Sequence, residues 1–233
     1  ATPEELEACR LKVEQQLNIA TTDAYARAGV DPRRSTPLRG RSIEGTLVPP
    51  GKALKFYRRA TSLARPLSGL ILSRRAKRGK EDLARRGERI GIASRPRPSG
   101  QLCWFHAASV GETAAVLPLI ADLQAARPDL NVLLTTGTVT SAELALTRLG
   151  KGGIHQYLPL DAPEYVRRFL EHWRPDLGVF IESEIWPNLI LEASARDVPL
   201  VLINARMSKE SFRRWRKRPG MALPLFTRFK AAL

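Results

Sequence analysis

The chain has 233 residues, 43% of them hydrophobic, enough for one large domain with extensions or for two small domains. It carries 38 Lys/Arg against 23 Asp/Glu, a net charge of +15, and residues 33–97 account for all of that excess with 19 basic and 4 acidic side chains. Only two cysteines occur, Cys9 and Cys103, far apart and without metal-ligand spacing, which fits a reducing cytosol better than a disulfide framework; no signal-peptide pattern and no run of 18 apolar residues is read.

Residues 4–28 place Leu6, Val13, Leu17, Ala20 and Ala24 on one helical stripe, and 29–52 is a Pro/Gly/Arg-rich linker. Residues 53–90 are basic. Within them a short apolar patch from Leu63 to Leu72, interrupted by Arg65 and Pro66, is flanked by Lys55, Arg58, Arg59, Arg74, Arg75, Lys77 and Arg78. That pattern predicts a helix lying in a membrane interface, with cations meeting phosphates; the alternative is a basic helix packed on the domain.

From residue 101 short apolar runs alternate with amphipathic segments. Strands are predicted at 102–109, 131–137, 155–160, 176–183 and 199–205. Helices are predicted at 113–126, 141–149, 163–173, 187–196 and near 208–218, the third opened by Pro163 in its first turn. Successive βαβ units imply a Rossmann-like α/β fold, a parallel sheet with helices on both faces, over residues 91–233.

In such a sheet ligands bind in the strand-to-helix turns. Gly111 in the turn Ser109–Glu112 permits close backbone approach. Glu112, beside the positive end of a helix, is either a general base or a helix cap. The turn Glu182–Asn188 gathers two carboxylates, Trp186 and Asn188, with Ser183 or Glu184 as a possible cap. Thr135, Thr136, Gly137, Thr138 and Thr140 form a hydroxyl-rich loop, and Arg206 in Asn204–Ser208 suits a phosphate or carboxylate. Ser109, Gly111, Thr136, Thr138, Glu184, Asn188, Asn204 and Arg206 are the candidate substrate-binding residues. His106 and His155 fall inside apolar strands and read as core histidines. Dinucleotide, P-loop and serine-hydrolase signatures are absent, as is any metal-ligand cluster.

Taken in order, FHAASVGE (105–112), LLTTGTVTSAE (133–143), HQYLPLD (155–161), FLEHWRPDL (169–177), ESEIWPN (182–188) and NARMS (204–208) resemble the bacterial 3-deoxy-D-manno-octulosonic acid (Kdo) transferases. RRAKRGKEDLARRGERIG (74–91) is similar to that family's region after its membrane anchor, while residues 1–52 do not resemble it. The resemblance implies the acceptor-side half of a GT-B, inverting, metal-independent glycosyltransferase. Such an enzyme moves Kdo from CMP-Kdo to a lipid A precursor (lipid IVA) in lipopolysaccharide synthesis. It further implies Glu112 as general base, Glu182 as transition-state stabiliser, no cofactor, and a donor-binding Rossmann domain not included in these 233 residues. The implied location is the cytoplasmic face of the bacterial inner membrane, held peripherally or by an N-terminal anchor. The expected partners are the lipid acceptor, CMP-Kdo and an anionic membrane surface, with no nucleic acid. An inactive truncated fragment, or a non-catalytic basic module binding membranes or other polyanions, is the alternative.

Overall fold

The computed structural model describes residues 47–182, 185–205 and 207–232. The helix expected at 4–28 and most of the linker after it lie outside the described residues. Two helices come first, α1 (Lys52–Leu63) and α2 (Ser68–Lys77), with a 3₁₀ turn between them at Arg65–Leu67. A second 3₁₀ turn, Arg86–Ile90, leads to the sheet.

The sheet then builds by alternation: β1 (Leu102–Ala107), α3 (Val110–Ala126), β2 (Asn131–Thr136), α4 (Val139–Arg148), β3 (Gly153–Tyr157), α5 (Pro163–Trp173), β4 (Leu177–Ile181), α6 (Pro187–Ser194) and β5 (Leu200–Ile203). Helices α7 (Lys209–Arg216) and α8 (Pro219–Phe226) precede a last strand, β6 (Phe229–Ala232). All strand pairs are parallel and their order is β3-β2-β1-β4-β5-β6. The chain therefore winds outward from β1 to β3, then crosses to β4 and winds the other way. The point where the direction reverses lies between β1 and β4.

Two apolar layers explain why these runs become strands buried on both faces. Leu102 and Trp104 of β1 point to one layer with Leu133, Phe180, Leu200 and Leu202, covered by Val166, Phe169 and Trp173 of α5 and by Leu189 and Ile190 of α6. Cys103 and Phe105 point to the other, with Leu134, Val179 and Ile203 under Val116, Leu117 and Ile120 of α3. Helices thus cover both faces, as the α/β pattern requires. Trp104 packs tilted on Phe169 at 5.2 Å and edge-on to Phe180 at 5.1 Å, and its indole N–H donates to Thr135 Oγ1 at 2.9 Å.

The basic segment divides in two. Helix α1 packs on the domain through Leu54, which is fully buried, while Phe56, Leu63, Leu67, Leu70 and Ile71 remain exposed beside Lys52, Lys55, Arg59, Arg74, Lys77 and Arg78. Packing on the domain thus accounts for Leu54, and it leaves these apolar and cationic side chains open to solvent. Residues 81–90 differ: they are built into the domain by buried ion pairs. Arg89 donates to Glu81 at 2.6 Å, Arg75 donates to the other Glu81 oxygen at 2.7 Å, and Arg85 grips both Glu88 oxygens at 2.9 Å. Buried charges persist only when partnered, and these are. Among the described residues no helix is long and apolar enough to cross a membrane.

Candidate functional site at the carboxyl ends of the strands

Ser-x-x-Glu at the start of α3 folds as a variant of the capping box, with the glutamate reaching the N–H one residue before the N-cap. Ser109 Oγ accepts from the Glu112 N–H at 3.2 Å and donates to Glu112 Oε1 at 2.7 Å; Glu112 Oε2 accepts from the Ala108 N–H at 2.8 Å. Glu112 is only 7% exposed, yet Ser109, Val110 and Gly111 around it are open to solvent. A Cβ on Gly111 would meet nothing nearer than Ser109 Oγ at 3.9 Å, so the close approach that glycine permits here faces outward. The close internal contact belongs to Gly137, whose added Cβ would lie 2.8 Å from Ala108 O. Each Glu112 oxygen has one donor within the turn and a further lone pair for a ligand.

Glu182 follows β4 directly. Its N–H donates to Ile203 O at 2.9 Å and its φ is +59°, the left-handed region that costs a non-glycine residue about 1 kcal/mol. Asn204, after β5, is exposed with φ +50°, a conformation asparagine tolerates. Thr138, after β2, is exposed and caps α4 by accepting from the Ser141 N–H at 3.1 Å. Ser109, Gly111, Glu112, Thr138, Glu182 and Asn204 thus share the carboxyl edge, and the two glutamates stand after the strands that flank the reversal point. Glu184 and Arg206 lie outside the described residues.

Two candidate ligand residues are committed elsewhere. Thr136 is fully buried and its Oγ1 lies 2.9 Å from His155 Nε2. Asn188 is also fully buried; its amide nitrogen donates to Asp161 O at 2.6 Å and Thr61 Oγ1 at 3.1 Å, so it joins segments of the domain rather than facing a ligand. The histidines are core residues as expected. Complete burial lowers His106 to about 4. His155 falls to about 3 through burial and then through the nearby Arg85 and Arg89. Both are neutral near pH 7. Among the described residues no group of three His, Cys, Asp or Glu could hold a metal.

The family model for 3-deoxy-D-manno-octulosonic-acid transferase (kdotransferase) matches residues 84–233. This chain belongs to the Kdo transferase family. It is 45% identical over 161 residues to the probable 3-deoxy-D-manno-octulosonic acid transferase, mitochondrial, of Arabidopsis thaliana, covering 69% of this chain and 36% of that protein. It is 41% identical over 167 residues to the 3-deoxy-D-manno-octulosonic acid transferase of Rickettsia bellii, covering 72% and 40%. The Haemophilus influenzae protein of the same name is 41% identical over 147 residues, covering 63% and 34%. The chain therefore spans well under half the length of these Kdo transferase relatives. The matched region begins inside the buried ion-pair segment and takes in every strand of the sheet.

Residues outside the two glutamate-bearing turns hold this candidate site together. Arg89 donates to Gly137 O at 2.8 Å and Leu158 O at 3.2 Å, and Glu88 accepts from the Tyr157 N–H at 2.7 Å, so one buried cluster fixes the ends of β2 and β3. Asp161 and Tyr57 do the same for the start of α6. Their signal was faint: Asp161 ends the quoted HQYLPLD motif, but nothing local in sequence shows what it binds.

Proposed function

We propose that this chain is the acceptor-side half of a glycosyltransferase that moves Kdo from CMP-Kdo to a lipid A precursor, with inversion and without metal. One observation carries the reading: Glu112 and Glu182 occupy the turns on either side of the reversal point in a Kdo transferase family sheet. Ligands of open α/β sheets bind in that crevice.

In this reading Glu112 accepts the proton of the acceptor hydroxyl as that oxygen attacks the anomeric carbon. The bond from that carbon to the CMP phosphate breaks, the phosphate leaves with the electron pair, and attack on the opposite face inverts the centre. Glu182 stabilises positive charge developing at the sugar. Ser109, Gly111, Thr138 and Asn204 line the exposed edge where the acceptor sugar would lie. Most CMP contacts would come from a second Rossmann domain, as in a GT-B enzyme, supplied by the length the relatives have beyond this match. The exposed apolar residues of α1 and α2, flanked by cations, support peripheral seating on the anionic cytoplasmic face of the bacterial inner membrane.

The test is transfer of Kdo from CMP-Kdo to lipid IVA by the protein encoded with its complete reading frame. Product is expected from the wild type and none above background from Glu112→Ala. Undiminished product from that variant would remove Glu112 from the reaction.

A further inference from the structure

Helix α6 starts badly by its own sequence. Its N-cap is Trp186, which offers no side-chain acceptor, and Pro187 at the first position has no N–H. The next two donors are both taken by one carboxylate from a segment 27 residues earlier. Asp161 Oδ2 accepts from the Asn188 N–H at 3.1 Å and Oδ1 from the Leu189 N–H at 3.0 Å. The Asp161 carbonyl also accepts from Asn188 Nδ2. Asp161 is held in turn by helix α1, whose Tyr57 hydroxyl donates to Oδ2 at 2.9 Å. Arg58 to Glu192 at 2.6 Å and Asn188 Nδ2 to Thr61 Oγ1 at 3.1 Å seat the same two helices against each other. On one side of residues 183–184 Glu182 is thus tied to Ile203 O, and on the other Asn188 and Leu189 are tied to Asp161.

We infer that Asp161 and Tyr57 are positioning residues for the Glu182 arm: Asp161 caps α6 from outside, and Tyr57 ties that cap to the helix bearing the exposed apolar patch. The consequence for transfer rests on the proposed function; the positioning itself does not. Burial pushes the Asp161 carboxyl above its ordinary range, opposed by the Asn188, Tyr57 and Leu189 hydrogen bonds, and burial with the Asp161 charge pushes Tyr57 up, so the phenol keeps the proton it donates.

Hydrogen exchange of single amides in the intact chain tests this. Tyr57→Phe is expected to speed exchange at Asn188, Leu189 and Glu182 by about fivefold, and Asp161→Asn on the order of 100-fold, while β1 and β2 amides stay at wild-type rates. Unchanged rates at the three amides, or an equal rise throughout the sheet, would overturn the inference. If Asp161→Asn fails to fold, Tyr57→Phe alone decides by the same criterion. In the transfer assay both variants should lower kcat with the KM for CMP-Kdo unchanged; a rise in KM alone would contradict a positioning role. A wild type without transfer would remove the proposed function and leave the exchange pattern to decide the positioning.

Discussion

The turn after β1 and the turn after β4 stand side by side at the carboxyl edge, each carrying one of the two glutamates, and they are held in opposite ways. The first supplies its own partners: Ser109 and Glu112, three residues apart, satisfy each other and the Ala108 N–H. The second relies on others. Glu182 sits in a left-handed conformation, and the helix beyond it takes its cap from Asp161, itself held by Tyr57 some hundred residues away in sequence. A self-capped turn keeps its shape whenever its helix forms. A turn capped from outside keeps its shape only while the neighbouring segments are docked.

Acid should separate the two most strongly. His106 and His155 support the β1–β2–β3 side, and their folded values of about 4 and about 3 lie below the ordinary 6.5. The folded state therefore binds fewer protons, so this stability is complete above pH 6.5 and drains as pH falls through that window. From about pH 7.5 to about pH 5 the loss is about 4 kcal/mol, discernible in melting temperature followed by circular dichroism. His155→Gln should remove about half of that slope. Asp161, shifted upward, acts with the opposite sign, because the folded state takes its proton first. A melting temperature flat between these pH values would end the contrast.

Gly137→Ala tests the packing of the self-capped side. Its Cβ would press on the Ala108 carbonyl, and backbone on both sides leaves little room to yield, so a loss of about 2–3 kcal/mol is expected in denaturant unfolding. A neutral result would mean that the two loops are free to separate.

Glu182→Gly should act in the other direction and more weakly. Relief of the positive φ is expected to raise stability by about 1 kcal/mol while transfer falls, because strain retained at a glutamate serves function rather than folding. A destabilised Glu182→Gly protein would show that the side chain supports the fold.

These differences also mark what the sequence discloses. The helix at 163–173 is legible to the residue, because Pro163 opens it and Tyr165, Val166, Phe169, Leu170 and Trp173 line one face. The Ser109–Glu112 box is legible too, since both partners lie within one turn. Helix α8 and strand β6 are not. Two prolines fall within α8, Pro219 at its first position and Pro224 inside it, Leu225 is buried, and β6 has only four residues. Asn188 reads as a ligand because it follows a strand-end carboxylate pair, but its partners Thr61 and Asp161 come from distant segments. Glu81 and Glu88 lie in a basic stretch with no local signal of burial, and only the fold brings Arg75, Arg85 and Arg89 around them. Local partners show in sequence; partners joined by topology do not.

In the proposed reaction Glu112 is a base as well as a cap, and one paired measurement separates the two roles. Thr113 donates to Ser109 O at 2.8 Å in the same first turn and has no part in the proposed chemistry. Stability and turnover should be measured together for Glu112→Gln and Thr113→Val. Glu112→Gln should lower kcat by roughly 10²–10⁴-fold with little change in unfolding free energy, whereas Thr113→Val should cost about 1 kcal/mol and leave most of kcat. If turnover instead follows stability in both variants, Glu112 is a cap alone.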